Sequence, residues 1–114
     1  MNPKIKKLIP EHIQKAFTEQ GDTSEKCMAD VKIICKLFNP VGAGTWWLYE
    51  NIEEDIYMAF CLLDSPQYAE IGTISLEEMV AVRFPMGLSI ERDLYFEPGE
   101  KTLQQVWDEI KGKN

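Results

Sequence analysis

The chain has 114 residues, of which 45% are hydrophobic and 27% are charged, and its formal net charge at pH 7 is −7. This length allows one hydrophobic core, so we expect a single domain over residues 1–114, and the hydrophobic content excludes a disordered chain. No apolar run approaches the roughly 20 residues of a membrane-spanning helix, and the N-terminus lacks the apolar stretch of a signal peptide, which predicts a cytoplasmic protein without a membrane partner.

The charge is distributed unevenly along the chain. Residues 1–18 carry four lysines against one glutamate, whereas residues 19–100 carry sixteen acids against five bases. An acidic body lacks the clustered Lys and Arg that hold phosphates, so direct binding of nucleic acid is disfavoured. An acidic surface serves either solubility alone or the binding of a partner protein with a basic surface.

The first half of the chain predicts an N-terminal helix followed by strands. Pro10 fits the first position of a helix that runs to about Gln20. Residues 30–38 alternate apolar side chains with Lys32 and Lys36, which predicts a strand with one fully apolar face. The turn "NPVGAG" leads to "TWWLYEN", the second strand of a hairpin, and "DIYMAFCLLD" and "AEIGTI" follow as a third and a fourth strand.

The second half predicts two helices around a fifth strand. Ser75 and Glu78 have the spacing of a capping box, and so do Thr102 and Gln105, so a middle and a C-terminal helix begin at these points. The segment "LSIERDLYF" lies between them and is extended. The order of elements predicts an α+β fold with a mainly antiparallel sheet of about five strands and N-terminal, middle and C-terminal helices.

The fifth predicted strand places a charge on an apolar face. Ile90, Leu94 and Phe96 share that face by alternation, and Arg92 falls on it as well. A guanidinium among apolar side chains needs a partner.

Two interpretations of Arg92 remain open. In the first, a carboxylate on a neighbouring strand, Glu50 or Glu70, pairs with it as a structural clamp. In the second, Arg92 binds the anionic group of a substrate in a cleft, with Glu91 and Asp93 beside it.

Other candidate contact residues lie on the predicted hairpins. Glu53, Glu54 and Asp55 crowd one hairpin loop, where they are either solvated charges or a contact for a basic partner. Trp46 and Trp47 are adjacent in a strand and therefore point to opposite faces. One of the two is expected in the core, and the other lies under a helix or in a contact patch.

The histidine and cysteine content argues against metal and cofactor sites. The chain has one histidine, His12, and its cysteines Cys27, Cys35 and Cys61 show no C-x-x-C spacing. A multi-histidine zinc site cannot be assembled from these residues, and we expect no metal and no cofactor. The three cysteines sit among apolar neighbours and are predicted to be buried, reduced thiols.

Three segments carry a family resemblance. "KLFNPVGAGTWWLYE", "EIGTISLEEM" and "GLSIERDLYFEP", in this order, resemble a family of small single-domain proteins of unknown function (domain of unknown function 2958) found on phages, plasmids and integrative elements. The likeness covers about residues 30–98. The family has no established activity, so the resemblance implies no catalytic residue; it implies the context of a mobile element, whose accessory proteins often bind host or element proteins and some of which counter host defence.

Three functions are consistent with these observations. The first is a small, acidic, non-enzymatic protein-binding module, which could act as a counter-defence inhibitor of a host nuclease system. The second is a small enzyme that uses a Glu/Arg/Asp cluster around Arg92 on an anionic substrate. The third is a regulatory factor that contacts nucleic acid through its basic N-terminal helix.

Overall fold

The structure, a computed structural model, describes residues 2–112 and contains one five-stranded antiparallel sheet. The strands are β1 (Cys35–Phe38), β2 (Thr45–Glu53), β3 (Ile56–Leu62), β4 (Glu70–Ser75) and β5 (Glu91–Arg92), and the α-helices are α1 (Pro3–Leu8), α2 (Glu11–Gln20), α3 (Leu76–Ala81) and α4 (Leu103–Lys111). The order across the sheet is β4-β3-β2-β1-β5. The predicted α+β fold, with its antiparallel sheet and its three helical regions, is confirmed.

The two faces of the sheet are covered by different helices. Helices α1, α2 and α3 pack on one face, where Ile9, Ile13 and Leu76 are fully buried against Leu37 and Leu48. Helix α4 packs on the other face, and its buried residues Leu103 and Val106 belong to a second cluster with Trp47 and Phe60. Both faces of the central strands are therefore apolar, which explains the nearly continuous hydrophobic sequence of β3. Among residues 2–112, no helix is long and apolar enough to cross a membrane.

The N-terminal region forms two short helices. Asn2 caps α1, because its Oδ1 accepts a hydrogen bond from the N–H of Lys4 at 2.9 Å. Pro10 is the residue before α2, which begins one position later than predicted and ends at Gln20 as expected. Proline lacks the N–H that a helix interior needs, so it separates α1 from α2.

The segment before β1 does not have the single apolar face that its alternation predicts. Val31 and Ile33 pack with α4, whereas Cys35 and Leu37 pack with α1, α2 and α3 on the opposite face. The N–H of Ile34 donates to the carbonyl of Leu48, which also faces Cys35 across the ladder. Ile34 and Cys35 therefore both lie opposite Leu48, which is the arrangement of a β-bulge. The extra residue moves the side chains that follow it to the other face of the sheet.

The fifth strand is shorter than predicted. Only Glu91 and Arg92 pair with β1, and the chain then turns, with Asp93 Oδ1 accepting a hydrogen bond from the N–H of Tyr95 at 2.9 Å. Ile90 and Phe96 consequently lie in the cores on opposite faces of the sheet, and the expectation that they share one face is wrong. An Asp side chain that bonds the backbone two residues ahead favours a turn over a strand.

Candidate functional site

The loop between β2 and β3 is held in one conformation by its own side chains. Asn51 Nδ2 donates to the carbonyls of Glu54 and Ile56, each at 3.0 Å, and so closes the hairpin. Glu54 has a positive φ of 36°, which the Asn51 contacts accommodate. The side chains of Glu53 and Glu54 are exposed at the tip.

Asp55 differs from its two acidic neighbours because it caps α3. Its Oδ2 accepts hydrogen bonds from the hydroxyl of Ser75 at 2.9 Å and from the N–H of Glu77 at 3.1 Å. The bond from the Glu77 N–H, followed by that from Ser75, holds the pKa of Asp55 below its usual value. The Ser75 hydroxyl in turn accepts from the N–H of Glu78 at 3.3 Å, so the predicted start of the middle helix is confirmed.

These contacts gather carboxylates from two segments of the chain. We call this surface the acidic end; it comprises Glu53, Glu54, Asp55, Glu77 and Glu78. No residue of the acidic end forms an ion pair within residues 2–112. The helix N-terminus stabilises part of this charge, since its unpaired N–H groups and its dipole favour anions. The sequence located the hairpin acids but gave no signal for the approach of Glu77 and Glu78, which depends on the pairing of β3 with β4.

The two adjacent tryptophans point to opposite faces of the sheet, as predicted. Trp47 is buried beside Phe60 in the cluster under α4, with ring centroids 5.9 Å apart. Trp46 is half-buried against the cluster under α1, α2 and α3. Neither ring offers the largely exposed aromatic surface that a contact patch centred on Trp46 would need.

The predicted clamp between Arg92 and Glu50 or Glu70 is wrong. Glu50 lies on β2, where its Oε1 accepts from the N–H and the hydroxyl of Thr23 at 3.0 and 2.6 Å. Glu70 is exposed on β4, at the opposite edge of the sheet from β5. Strand β1 therefore separates Glu50 from Arg92, and most of the sheet separates Glu70 from it. The spacing of these residues in the sequence does not predict this strand order.

The other charges of the fifth strand are divided between the two faces. Asp93 pairs with Lys36 at 3.6 Å, and the ammonium of Lys36 also lies 5.8 Å from the centroid of the Trp47 ring. Arg92 faces the other side, in register with Leu37. Glu91 is adjacent to Arg92 in β5 and pairs with Phe38, so its side chain points to the opposite face from Arg92. The Glu/Arg/Asp cluster that an enzyme would need is thus not assembled on one face, because Arg92 points away from both neighbouring acids.

Arg92 opens onto a cleft of about 700 Å³ between α1, the C-terminal end of α3 and the segment from Gly87 to Leu94. We call it the Arg92 cleft; its charged lining residues are Lys4, Lys7, Arg83, Glu91 and Arg92, and its apolar lining includes Leu8, Val80 and Ile90. The sequence signalled this site only through the excess of lysine in residues 1–18 and through Arg92 itself.

Two arginines in the cleft have different environments. Arg83 is anchored, because its guanidinium donates to the carbonyls of Val80 and Val82. Arg92 Nε is buried and has no hydrogen-bond partner among the described residues. The predicted position of Arg92 on an apolar face is thus confirmed, whereas its predicted carboxylate partner is absent from residues 2–112.

The cysteines do not form a reactive site. Cys35 is buried, and desolvation raises the pKa of its thiol to about 12 against the opposing effect of Arg92. Cys61 is half-buried, and Cys27 is exposed, with its Sγ 3.1 Å from Asp30 Oδ2. The prediction of burial is wrong for Cys27 because it lies in a loop ahead of the short turn Met28–Asp30. Within residues 2–112, no group of His, Cys, Asp and Glu side chains could hold a metal ion.

Comparison with known proteins identifies a family for this chain. A family model described as "Protein of unknown function (DUF2958)" matches residues 8–111. This range extends past the segment 30–98 that carries the resemblance and takes in α2 and α4. No curated protein and no solved structure matches the chain.

Proposed function

The chain belongs to the DUF2958 family of proteins of unknown function, and we propose that this member is a small, non-enzymatic protein-binding module that docks its acidic end on a basic surface of a partner protein. The observation that carries the proposal is the unpaired negative charge of the acidic end. Its carboxylates come from the hairpin and from the start of α3, and none is neutralised by a cation within residues 2–112. Like charges that converge without counter-charges favour a cationic partner.

The rigidity of this surface supports binding over mere solubility. Asn51 closes the hairpin and Asp55 ties it to α3, so Glu53, Glu54 and Glu77 project from a fixed framework. A preorganised surface loses less conformational entropy on association than a mobile one. Solubility alone requires charge but no such framework.

The partner is a protein of the host or of a mobile element. A nuclease channel is one basic surface of suitable chemistry, because Lys and Arg line such channels to hold phosphates. In that form of the proposal the acidic end occupies the channel and the protein acts as a counter-defence inhibitor in the cytoplasm. The support for it is the mobile-element context that the resemblance implies, together with the charge of the acidic end.

The test is an affinity purification of the full-length protein from the native host at low and at moderate salt, with three forms of the bait. The first is the parent chain, and the second is E53S/E54S/E77S, which leaves Asp55 in place to cap α3. The third is E19S/E25S/E97S, which removes the same number of exposed acids elsewhere and is the control for net charge.

We expect a partner to be captured by the parent and by the control variant and to be lost with the acidic-end variant. Its association rate should fall as salt rises, because screening acts on exposed charges over about 10 Å at 0.1 M salt. The proposal would be contradicted by a partner that all three baits capture equally. It would also be contradicted by a partner whose capture is reduced equally with the acidic-end variant and with the control variant.

A further inference from the structure

We propose that the Arg92 cleft binds a phosphate group carried by a small molecule with an apolar or aromatic body. This site is distinct from the acidic end, and the inference goes beyond the protein-binding function proposed above. It rests on the cleft's charge, on the unpartnered Arg92 and on the exposed apolar residue at its rim.

The charge of the cleft is opposite to that of the protein. Lys4, Lys7, Arg83 and Arg92 line it, and Glu91 is the single acidic residue of the lining. The chain as a whole has a net charge of −7. Cations drawn together from α1, the end of α3 and β5 repel one another, and an anion with more than one negative charge offsets this repulsion better than a single carboxylate.

Arg92 supplies the second observation. Its Nε is shielded from solvent and has no hydrogen-bond partner in residues 2–112. In folded proteins, buried donors are normally paired. Nothing in its strand pairing requires a guanidinium, because its partner across the ladder is Leu37. Arg92 also forms no ion pair within residues 2–112, so an anion in the cleft would supply the counter-charge that its guanidinium lacks, as phosphate does for other arginines.

The second arginine of the lining, Arg83, is held in place beside the same cleft. Arg83 is fixed by the carbonyls at the end of α3 through one terminal nitrogen, Nη1. The other nitrogens of the guanidinium remain for a ligand. Lys4 and Lys7 are exposed on α1 and can follow an anion as it enters, since their stems are flexible.

The rest of the cleft fits an apolar body. Leu8, Val80 and Ile90 belong to the core and form an apolar floor. At the rim Leu94 is 69% exposed. An exposed apolar side chain beside a charged cleft offers a contact for the apolar part of a ligand.

The shape of the site favours a small ligand over a nucleic-acid strand. A cleft of about 700 Å³ lies within the size range of small-molecule sites. A strand would continue past the cleft onto a body in which residues 19–100 have eleven more acids than bases, where its phosphates would be repelled.

The experiment titrates the full-length protein with probes that separate the head group from the body and distinguish two sources of the phosphate. ADP and inorganic pyrophosphate are titrated by calorimetry, and phosphatidylcholine vesicles with and without phosphatidic acid are tested by co-sedimentation. The variants are K4S/K7S and Arg92→Met, and the matched control K6S/K15S removes two exposed lysines that do not line the cleft.

We expect ADP or the phosphatidic acid vesicles to bind, more tightly than pyrophosphate. K4S/K7S and Arg92→Met should each weaken that binding at least about tenfold, the size of one lost charge-assisted hydrogen bond, while the control changes it less than about twofold. Binding of ADP would identify a soluble phosphate ester, and binding of the vesicles alone would identify a lipid head group.

Three results would overturn the inference. The first is no binding of any probe at millimolar concentration. The second is binding that the control variant weakens as much as K4S/K7S does, since this would show attraction to the basic N-terminal region as a whole. The third is a single-stranded oligonucleotide that binds more tightly than ADP with an affinity that rises with its length, which would assign the cleft to nucleic acid. None of these results bears on the acidic end, so the two proposals can fail separately.

Discussion

Replacement of Arg92 by Met separates the two explanations of a guanidinium on an apolar face. Met keeps an unbranched apolar stem that can pack where the Arg92 stem does, and it removes the nitrogens. Arg92 Nε is buried without a partner among residues 2–112, and a buried unsatisfied donor costs about 1–3 kcal/mol. Part of this cost is recovered when the donor is removed, so we expect Arg92→Met to increase the free energy of unfolding by about 1 kcal/mol.

Urea denaturation followed by tryptophan fluorescence measures the effect. With a slope of about 1–3 kcal/mol per molar urea, a gain of about 1 kcal/mol raises the midpoint by about 0.3–1 M. The control is Arg83→Met, which removes the bonds to the carbonyls of Val80 and Val82 and should lower the midpoint by a similar amount.

The opposite sign for Arg92→Met would refute this reasoning. Breaking a buried ion pair destabilises a protein by about 3–5 kcal/mol, because the remaining charge is left unpaired. A loss of that size would mean that a carboxylate pairs with Arg92 in the folded protein.

The other predictions concern the cap of α3 and the turn before β2. Ser75→Ala removes the acceptor of the Glu78 N–H and should cost about 1 kcal/mol, which an unchanged urea midpoint would contradict. Because hydrogen bonds lower the pKa of Asp55 in the folded protein, its carboxylate stabilises the fold above the unfolded-state pKa and loses this effect as the pH falls. Asp55→Asn should therefore lower the melting temperature at pH 7, and this deficit should shrink only as the pH falls below about 4 and through the lower folded-state pKa; a difference independent of pH would argue against the cap. Gly44→Ala should cost about 2 kcal/mol or more in thermal denaturation, since Gly44 has a φ of +130° and an added Cβ would lie 2.9 Å from Trp46 Cη2; a variant as stable as the parent would show that the turn relaxes.

The parts of the fold that the sequence predicts correctly are determined by local chemistry. The capping box at the start of α4 forms as expected, with the N–H of Gln105 donating to the Thr102 hydroxyl at 3.1 Å and Gln105 Oε1 accepting from the N–H of Thr102 at 2.8 Å. The hairpin of β2 and β3 likewise follows from alternation and a short polar loop. Each of these features depends on residues within a few positions of one another.

The features that sequence patterns misplace depend on distant segments. The alternation before β1 changes face because Leu48 accepts a hydrogen bond from Ile34, and nothing in residues 30–38 reveals this bulge. The partners of Arg92 depend on the position of β5 beside β1 at the edge of the sheet, which excludes Glu50 and Glu70. Alternation assigns a side chain to a face, but only the strand order shows what else lies there.

The candidate site shows the same division between local and distant contacts. Glu54 and Asp55 occupy the hairpin loop that the sequence assigns to them, and Glu53 is the last residue of β2 beside it. From the sequence alone the three acids are equivalent. In the structure Asp55 accepts a hydrogen bond from Ser75 at the start of α3 and therefore acts as a structural cap. The packing of α1 on α3 brings Lys4 and Lys7 into the same cleft as the two arginines, Arg83 and Arg92. The lysines and arginines are roughly eighty residues apart in the chain, and no sequence motif predicts that they are close in space.

Helix α3 links the two proposed sites, because the acidic end lies at its start and Arg83 anchors to its end. This charge order suits the helix dipole, which favours anions at the N-terminus and cations at the C-terminus. A helix of six residues is not stable alone, so the cap that includes Ser75 and the packing of Val80 must hold it. Loosening α3 by Ser75→Ala should therefore weaken binding at both sites, whereas E53S/E54S/E77S and K4S/K7S should each affect one. If Ser75→Ala weakens neither, the two surfaces are held in place by the sheet and by α1, independently of the helix between them.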